Sequence, residues 1–232
     1  ERWDAEYYVP RQAQTGLGDV RLPLPNLHVH KTEDLRVLKL GEIAVFKEEK
    51  SSIKRLNPDE EVQYVEISSI LPGIPLIGRE VKIMRAKDLP SRATYIIDAG
   101  DILLAIAGAS TGTKKQAVAW VTEEYDGAVC TSGFAVLRPI SEIVNPYFLI
   151  SYFHSEMFLR ELKRILKGHA IPAASLSDVK EIPIYLPPRS TQDLIGKQIQ
   201  DALESIRKGI RLLNELTRSG PIITPMISSR RS

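Results

Sequence analysis

The fold of this chain is decided by one stretch, Asp98–Pro139, which reads DAGDILLAIAGASTGTKKQAVAWVTEEYDGAVCTSGFAVLRP. The run from Ile102 to Ala107 is apolar without a break and lies between turn residues, which predicts a strand buried on both faces. Residues 116–122 alternate as a second strand, and residues 128–139 run back as a third. We therefore predict a rigid β-hairpin at the centre of the fold.

The segment between the first two strands, Gly108–Lys115, reads GASTGTKK. Its glycines, threonines and serine add little to a hydrophobic core, but they supply turns, hydroxyls and backbone N–H groups. Two lysines follow at its rim. The composition predicts an exposed, flexible and cationic tip, which suits contact with a polyanion.

Composition sets broad bounds on the class of protein. The chain has 232 residues, 43% of them hydrophobic and 26% charged, which is ordinary for a soluble globular protein. Its net charge is only +2, so any basic face must be local. The single cysteine, Cys130, excludes a disulfide framework and a zinc ribbon, and it is interpreted as a core residue.

Targeting signals are missing from the sequence. No run approaches the roughly 20 apolar residues of a membrane span, and we find no signal peptide, which predicts a cytoplasmic protein. The chain starts at Glu1 rather than Met, so we expect a piece of something longer.

Positive charge gathers before the central hairpin, in Arg79–Asp98. The cations there are Arg79, Lys82, Arg85, Lys87 and Arg92. They form either a solvated face or a set of phosphate contacts, and the sequence leaves both interpretations open.

Two helices are predicted after the hairpin. The first begins at Asn145-Pro146, a cap followed by a first-turn proline, and continues to Gly168 with a basic end. His154 within it is interpreted as a core residue.

The second predicted helix runs from a cap at Ser190 to Arg218, a rod of roughly 40 Å. Its narrow apolar seam predicts a partner helix, although a lone amphipathic surface helix is the alternative. The seam residues are Ile195, Ile199, Ala202, Ile206, Leu213 and Leu216.

The order of these motifs resembles one target recognition domain of a type I restriction-modification specificity subunit. The resemblance covers nearly the whole chain. The stretches that carry it are RWDAEYYVP, LKLGEIAVFK, YVEISSI, LPSRATYIIDAGDILLAIAGASTGTKKQAV, GAVCTSGFAVLRP, NPYFLISYFHSEMF and LKGHAIPAASLSDVKEIPIYLPP, followed by the final helix.

The resemblance implies an α/β (α+β) fold with a twisted, mainly antiparallel sheet and a long coiled-coil-type helix. The expected domains are residues 1–188 for target recognition, 189–219 for the spacer and dimerisation helix, and 220–232 for a flexible tail.

The resemblance also implies a non-catalytic module without cofactor or metal. The expected partners are double-stranded DNA, a methyltransferase subunit or fused methyltransferase domain, and a second copy bound through the final helix. The chain would be a half subunit or the end of a methyltransferase fusion.

Residues near the loop tips are the candidates for DNA contact. Lysines and arginines would neutralise phosphates, and other side chains would read base edges in the major groove. The candidates are Ser110, Thr111, Thr113, Lys114, Lys115, Arg92, Lys167 and His169.

Two other functions fit parts of the sequence. Asp59, Glu80 and Lys82 match the loose pattern of a Mg²⁺-dependent nuclease, in which two carboxylates hold the metal and a lysine assists a water molecule. The pattern is short and occurs often by chance. The second alternative is a helical protein–protein interaction module without DNA binding, in which the final helix alone carries the function.

Overall fold

The computed structural model describes residues 35–48, 52–78, 81–168 and 171–218. In those ranges the chain forms ten strands and five α-helices. The strands are β1 (Arg36–Lys39), β2 (Ala44–Phe46), β3 (Glu61–Val65), β4 (Lys82–Arg85), β5 (Ala93–Ile96), β6 (Ile102–Ala105), β7 (Val118–Trp120), β8 (Val129–Thr131), β9 (Phe134–Pro139) and β10 (Pro183–Leu186). The helices are α1 (Leu40–Ile43), α2 (Pro146–Tyr152), α3 (Glu156–Ile165), α4 (Leu176–Lys180) and α5 (Arg189–Arg218).

Two four-stranded sheets form the body of the domain. The first has the order β2-β9-β6-β7, and the second has the order β4-β3-β8-β5. Strands β1 and β10 make a separate antiparallel pair. The β3–β8 pair is parallel, and the other strand pairs of the described residues are antiparallel. This confirms the predicted α/β class with mainly antiparallel pairing.

Strand β6 is buried on both faces, as its uninterrupted apolar run predicts. Ile102 and Leu104 pack in a cluster with the apolar side chains of α2 and α3. Leu103 and Ala105 point the other way, into a cluster with residues of the second sheet. Alternation along a strand places neighbouring side chains on opposite faces, and each buried leucine contributes about 1.5–3 kcal/mol to stability. The strand therefore lies between a helical layer and a second sheet.

Cys130 belongs to the second of these clusters and is fully buried. Burial raises the pKa of its thiol, because the thiolate would lose its hydration. The interpretation of Cys130 as a core residue is confirmed.

The third predicted strand is in fact two. Residues 128–139 form β8 in the second sheet and β9 in the first, separated at Ser132-Gly133. The Ser132 N–H donates to Arg92 O at 2.7 Å, which takes the chain out of β8. A Cβ at Gly133 would lie 2.8 Å from Ile67 Cδ1, so Ile67 would have to shift to admit a side chain there. The crossing thus ties the two sheets together beside the end of β6.

The predicted helix from Asn145 to Gly168 is also two helices. Asn145 caps α2 as expected, since its side chain accepts hydrogen bonds from the N–H groups of Tyr147 and Phe148. The helix ends at Tyr152, and Ser155 then caps α3 by accepting from Phe158 N at 3.2 Å. An extended serine in that position starts a new helix rather than continuing the old one.

The last helix, α5, is 30 residues long, or roughly 45 Å. It begins at Arg189, which places the N-cap at Pro188, so the predicted cap at Ser190 is wrong by two residues. Asp193 instead bonds to Asn145 and Arg189, and in doing so it joins the first turn of α5 to the start of α2. None of the helices between residues 35 and 218 that the structure describes is both long and apolar enough to cross a membrane.

Candidate nucleic-acid interface

The loop Gly108–Lys115 is held from below by a buried glutamine. Gln116 is fully buried, and its amide oxygen accepts from Gly112 N at 2.8 Å. Its amide nitrogen donates to Ala105 O at 2.7 Å. Gly108 and Gly112 both have positive φ, which allows the tight turns on either side. The loop is therefore anchored to the end of β6. The composition had predicted a flexible tip, which this anchoring does not support.

The middle of the loop faces the domain. A Cβ on Gly112 would lie 3.1 Å from Lys163 Cα, so the loop packs directly on the backbone of α3. Thr111 is only 4% exposed, and its hydroxyl has no hydrogen-bond partner among the described residues. The expectation that Thr111 contacts DNA is therefore not supported, because its side chain points inward.

The outer residues of the loop form its accessible surface. They are Ala109, Ser110, Thr113, Lys114 and Lys115. Thr113 Oγ1 donates to Ser110 O at 2.7 Å and accepts from Lys115 N at 3.1 Å, which holds the turn closed. Lys114 and Lys115 are exposed, and within the part of the chain that the structure describes no carboxylate pairs with them. Two unneutralised charges thus stand on a fixed turn.

The basic end of α3 adjoins this loop. Lys167 and Ala107 both bridge to Ala173, which brings the segment after α3 against the start of the loop. The Lys167 ammonium forms an ion pair with Asp178 at 3.0 Å but stays largely exposed. The hydrogen bond from Lys167 lowers the pKa of Asp178, with Ser175 adding to the effect. His169 lies outside the described residues.

Arg92 reaches the other side of the same edge. Ser132 N bonds to Arg92 O, and Ile106 N donates to Gly133 O at 2.9 Å, so Arg92 lies next to the end of β6. Its guanidinium pairs with Glu66, which also pairs with Lys82 at 2.7 Å. The hydrogen bond from Lys82, assisted by the one from Arg92, lowers the pKa of Glu66.

We name this surface the cationic edge. It consists of the outer loop residues, the end of α3 with Lys167, and the Arg92–Glu66–Lys82 cluster. Cations outnumber carboxylates along it, because its carboxylates are Glu66, Glu161 and Asp178, whereas its cations are Arg92, Lys82, Lys163, Arg164, Lys167 and the two loop lysines. The residues predicted for DNA contact thus come together on one surface, apart from the inward Thr111 and His169, which the structure does not describe.

Three residues that hold this edge in place were not predicted from the sequence. Gln116 gives no signal, because a single glutamine before a strand is common. Tyr64 and Glu66 are different: they are two apart at the end of an alternating strand, so they project from the same face. That spacing could have placed them together, but nothing in the sequence shows that Arg92 joins them.

His154 lies beneath the end of the loop. Its Nδ1 is 3.2 Å from Ile150 O. Burial lowers the pKa of His154, an effect that the backbone groups of Ile150 and Gln116 partly oppose. The ring therefore belongs to the packing under Gln116, consistent with its interpretation as a core residue.

Of the candidate nuclease residues, Asp59 and Lys82 do not come together. Asp59 pairs with Lys87 at 2.7 Å, near the Glu61–Arg85 end of the β3–β4 pair. Lys82 lies at the other end of β4, about 10 Å away along the strand, and pairs with Glu66. Glu80 lies outside the described residues. Asp59 and Lys82 are each held in ion pairs to other residues, which gives the nuclease alternative no support.

Helix α5 is divided between its own domain and solvent. Ile199 and Leu203 are buried against Ile74 and Leu76, with Ile195 and Ile206 packed beside them. The expectation that these seam isoleucines face a partner is therefore wrong: they cover the domain's own core. From Arg211 to Thr217 every side chain of the helix is exposed, the leucines included. The leucines are Leu212, Leu213 and Leu216, at 59%, 63% and 64%.

A domain with an anchored, lysine-tipped loop and a helix that extends past its own core is typical of a recognition module. The chain belongs to the family described as the type I restriction modification DNA specificity domain, which it matches over residues 32–218. This confirms the resemblance seen in the sequence. A comparison with curated proteins finds no match.

Solved structures agree with this assignment. The HsdS subunit from Thermoanaerobacter tengcongensis is 29% identical, with a TM-score of 0.62 over 81% of this chain and 47% of that one. A structure described as the structural basis underlying complex assembly and conformational transition of the type I R-M system is 28% identical, with a TM-score of 0.59 over 81% and 46%. The S subunit of the type I restriction-modification system from M. genitalium shares the fold at 14% identity, with a TM-score of 0.52 over 84% and 46%. The chain thus spans about half the length of these subunits.

Proposed function

We propose that this chain recognises a short sequence in double-stranded DNA for a type I restriction-modification system, and that it has no catalytic activity of its own. The observation that carries the proposal is the pair Lys114 and Lys115, which are exposed on an anchored loop and pair with no carboxylate of the described residues. A fixed turn with unneutralised cations suits phosphate contact, because binding then releases counterions from the duplex without first breaking ion pairs. Such a module would work in the cytoplasm, where bacterial DNA lies.

The double substitution Lys114→Ala/Lys115→Ala tests this role. We expect weaker binding to all duplex sequences, and a slope of log affinity against log salt that is smaller by about 2, since each phosphate contact contributes about 0.9. Fluorescence anisotropy between 50 and 300 mM salt measures both quantities.

The matched control is Lys197→Ala/Lys208→Ala, which removes the same charge from exposed positions on α5. We expect the control to retain the wild-type slope. An unchanged slope in the loop variant would remove these lysines from the interface, and a wild-type chain without affinity for any duplex would refute the proposed function itself.

We further infer that the exposed end of α5 docks a helix, supplied by a methyltransferase subunit or by a second copy of this chain. The family to which the chain belongs works with a methyltransferase and DNA. The support within this chain is the run of Leu212, Leu213 and Leu216, which exposes apolar surface near the end of α5.

Substitution of Leu213 and Leu216 by glutamate is expected to abolish this docking, because two charges would have to be buried in a helix–helix seam. Light scattering over a range of concentrations measures self-association, and co-purification with the methyltransferase subunit measures the other pairing. Leu194→Glu is the control, since Leu194 is also exposed on α5 but lies at its first turns. A wild-type chain that neither self-associates nor retains the methyltransferase would contradict the inference.

A further inference from the structure

The guanidinium of Arg92 is supported at two points. Its Nε–H donates to the hydroxyl of Tyr64 at 3.3 Å, and its Nη2 donates to Glu66 Oε1. Both supports are themselves fixed. Tyr64 is 1% exposed in β3, between β4 and β8, and the Glu66 carboxylate is also held by Lys82. The orientation of the arginine head is thus set before any ligand arrives.

These supports occupy one edge of the guanidinium and leave another free. Nε–H and the adjacent hydrogen of Nη2 form the side edge, which Tyr64 and Glu66 take. That leaves the end edge, formed by Nη1 and the second N–H of Nη2, and Nη1 makes no hydrogen bond within the described residues. The side chain of Arg92 is 59% exposed, so this pair of donors is open to solvent on the cationic edge.

Two parallel donors match one base edge in particular. In the major groove guanine presents N7 and O6 as adjacent acceptors, whereas adenine presents an acceptor beside a donor and cytosine a donor. A planar fork held in place meets two acceptors without losing further side-chain freedom.

The charge of the cluster also separates it from phosphate binding. Glu66 offsets the charge of Arg92, so the pair adds less to the general attraction for the duplex than a free lysine does. Arg92 still supplies N–H donors whose orientation is fixed. We propose that Arg92 reads a guanine through its end edge, and that Glu66 and Tyr64 are positioning residues. This rests on the proposed function and adds to it one base of the target.

The test is a selection of binding sites from a random duplex library with the full chain. We expect the wild type to enrich a motif with a guanine at which Arg92→Lys loses preference by about tenfold, while the other positions are unchanged. Lysine keeps the charge but cannot present two parallel donors. The pair Lys114→Ala/Lys115→Ala should retain the whole motif, since it removes only phosphate contacts.

A second measurement changes the DNA instead of the protein sequence, and compares the wild type with Arg92→Lys. Replacing each guanine of the enriched motif in turn by 7-deazaguanine removes N7 while keeping the base pair. At one position we expect wild-type affinity to fall about tenfold, and the affinity of Arg92→Lys to stay the same with either base.

Glu66→Gln separates positioning from simple stability. It removes a negative charge from the cationic edge, so affinity for unrelated duplexes should rise, while discrimination at the Arg92 guanine should fall. A purely structural role would not move the two quantities in opposite directions.

Three results would overturn the inference. An Arg92→Lys motif identical to that of the wild type, or a wild type indifferent to 7-deazaguanine throughout its motif, would remove Arg92 as a base reader and leave DNA recognition intact. A wild type that binds duplexes but enriches no sequence would instead refute the proposed recognition, and this inference with it.

Discussion

Replacing Asp101 by alanine is expected to lower the free energy of unfolding by about 3 kcal/mol. The carboxylate is fully buried, and it accepts from Asp98 N at 2.9 Å. It also pairs with Lys47 and Arg138, each at 2.8 Å. Removing one member of a buried charge network leaves its partners without compensation. Water can still reach half of Arg138, which keeps the loss at the lower end of the range for such networks.

Urea denaturation of the two proteins measures this loss. Asp98→Ala is a close control, because Asp98 pairs with the same lysine at 2.6 Å but from an exposed position. Exposed ion pairs contribute about 1 kcal/mol or less, so this variant should stay close to the wild type. Similar losses in both variants would show that burial of Asp101 does not decide the effect.

The prediction also concerns the cationic edge. Asp101 immediately precedes β6, and through Lys47 it connects the first sheet to the second, since the same ammonium donates to Ile96 O at 2.9 Å. Strand β6 leads directly into the loop with Lys114 and Lys115. We therefore expect Asp101→Ala to loosen the support of the loop as well as the fold.

The centre of the fold could be predicted from sequence because local pattern decides it. An apolar run such as Ile102–Ala105 has no polar face to expose, so it must be covered on both sides. The Asn145-Pro146 cap and the long period of α5 are equally local signals. Each of these elements is present in the structure at nearly the predicted bounds.

The points at which elements end were harder to predict from the sequence, because they depend on contacts with residues distant in the chain. The turn at Ser132-Gly133 exists since Ser132 bonds to Arg92 and since Ile67 fills the space above Gly133. Neither contact leaves a trace in the local pattern. The same holds for α5, where an apolar seam looks identical whether it covers Ile74 and Leu76 or a partner's helix.

The sequence predicted which kinds of residue form the candidate site, but not which of them are held in ion pairs. A count of basic residues marks Arg92 and Lys114 alike, yet one is paired with Glu66, 26 residues away, and the other has no ion pair among the described residues. Only that difference separates a directed donor from a free charge. The loop likewise appeared flexible from its glycines, until the buried amide of Gln116 fixed it.

At two glycines of α5, substitution by alanine is expected to change the free energy of unfolding in opposite directions. At Gly196 a Cβ would lie 2.2 Å from Asn145 Oδ1, which is not free to move. That oxygen caps α2, and the amide nitrogen of the same side chain donates to Asp193 at 2.8 Å. Losing the cap costs about 1 kcal/mol and overpacking 1–3 kcal/mol, against a gain in helix propensity of about 1 kcal/mol. We expect Gly196→Ala to lower the free energy of unfolding by about 2 kcal/mol.

Gly209 lies on the same helix with open space around it, because a Cβ placed there would have no atom of the described residues within 4 Å apart from its own helix backbone and chain neighbours. Only the propensity gain remains, so Gly209→Ala should stabilise the protein by about 0.5–1 kcal/mol. Urea denaturation of both variants gives the two signs in one experiment. A gain at both positions would mean that α5 does not pack on Asn145, and the attachment of the helix to the domain would have to be placed elsewhere.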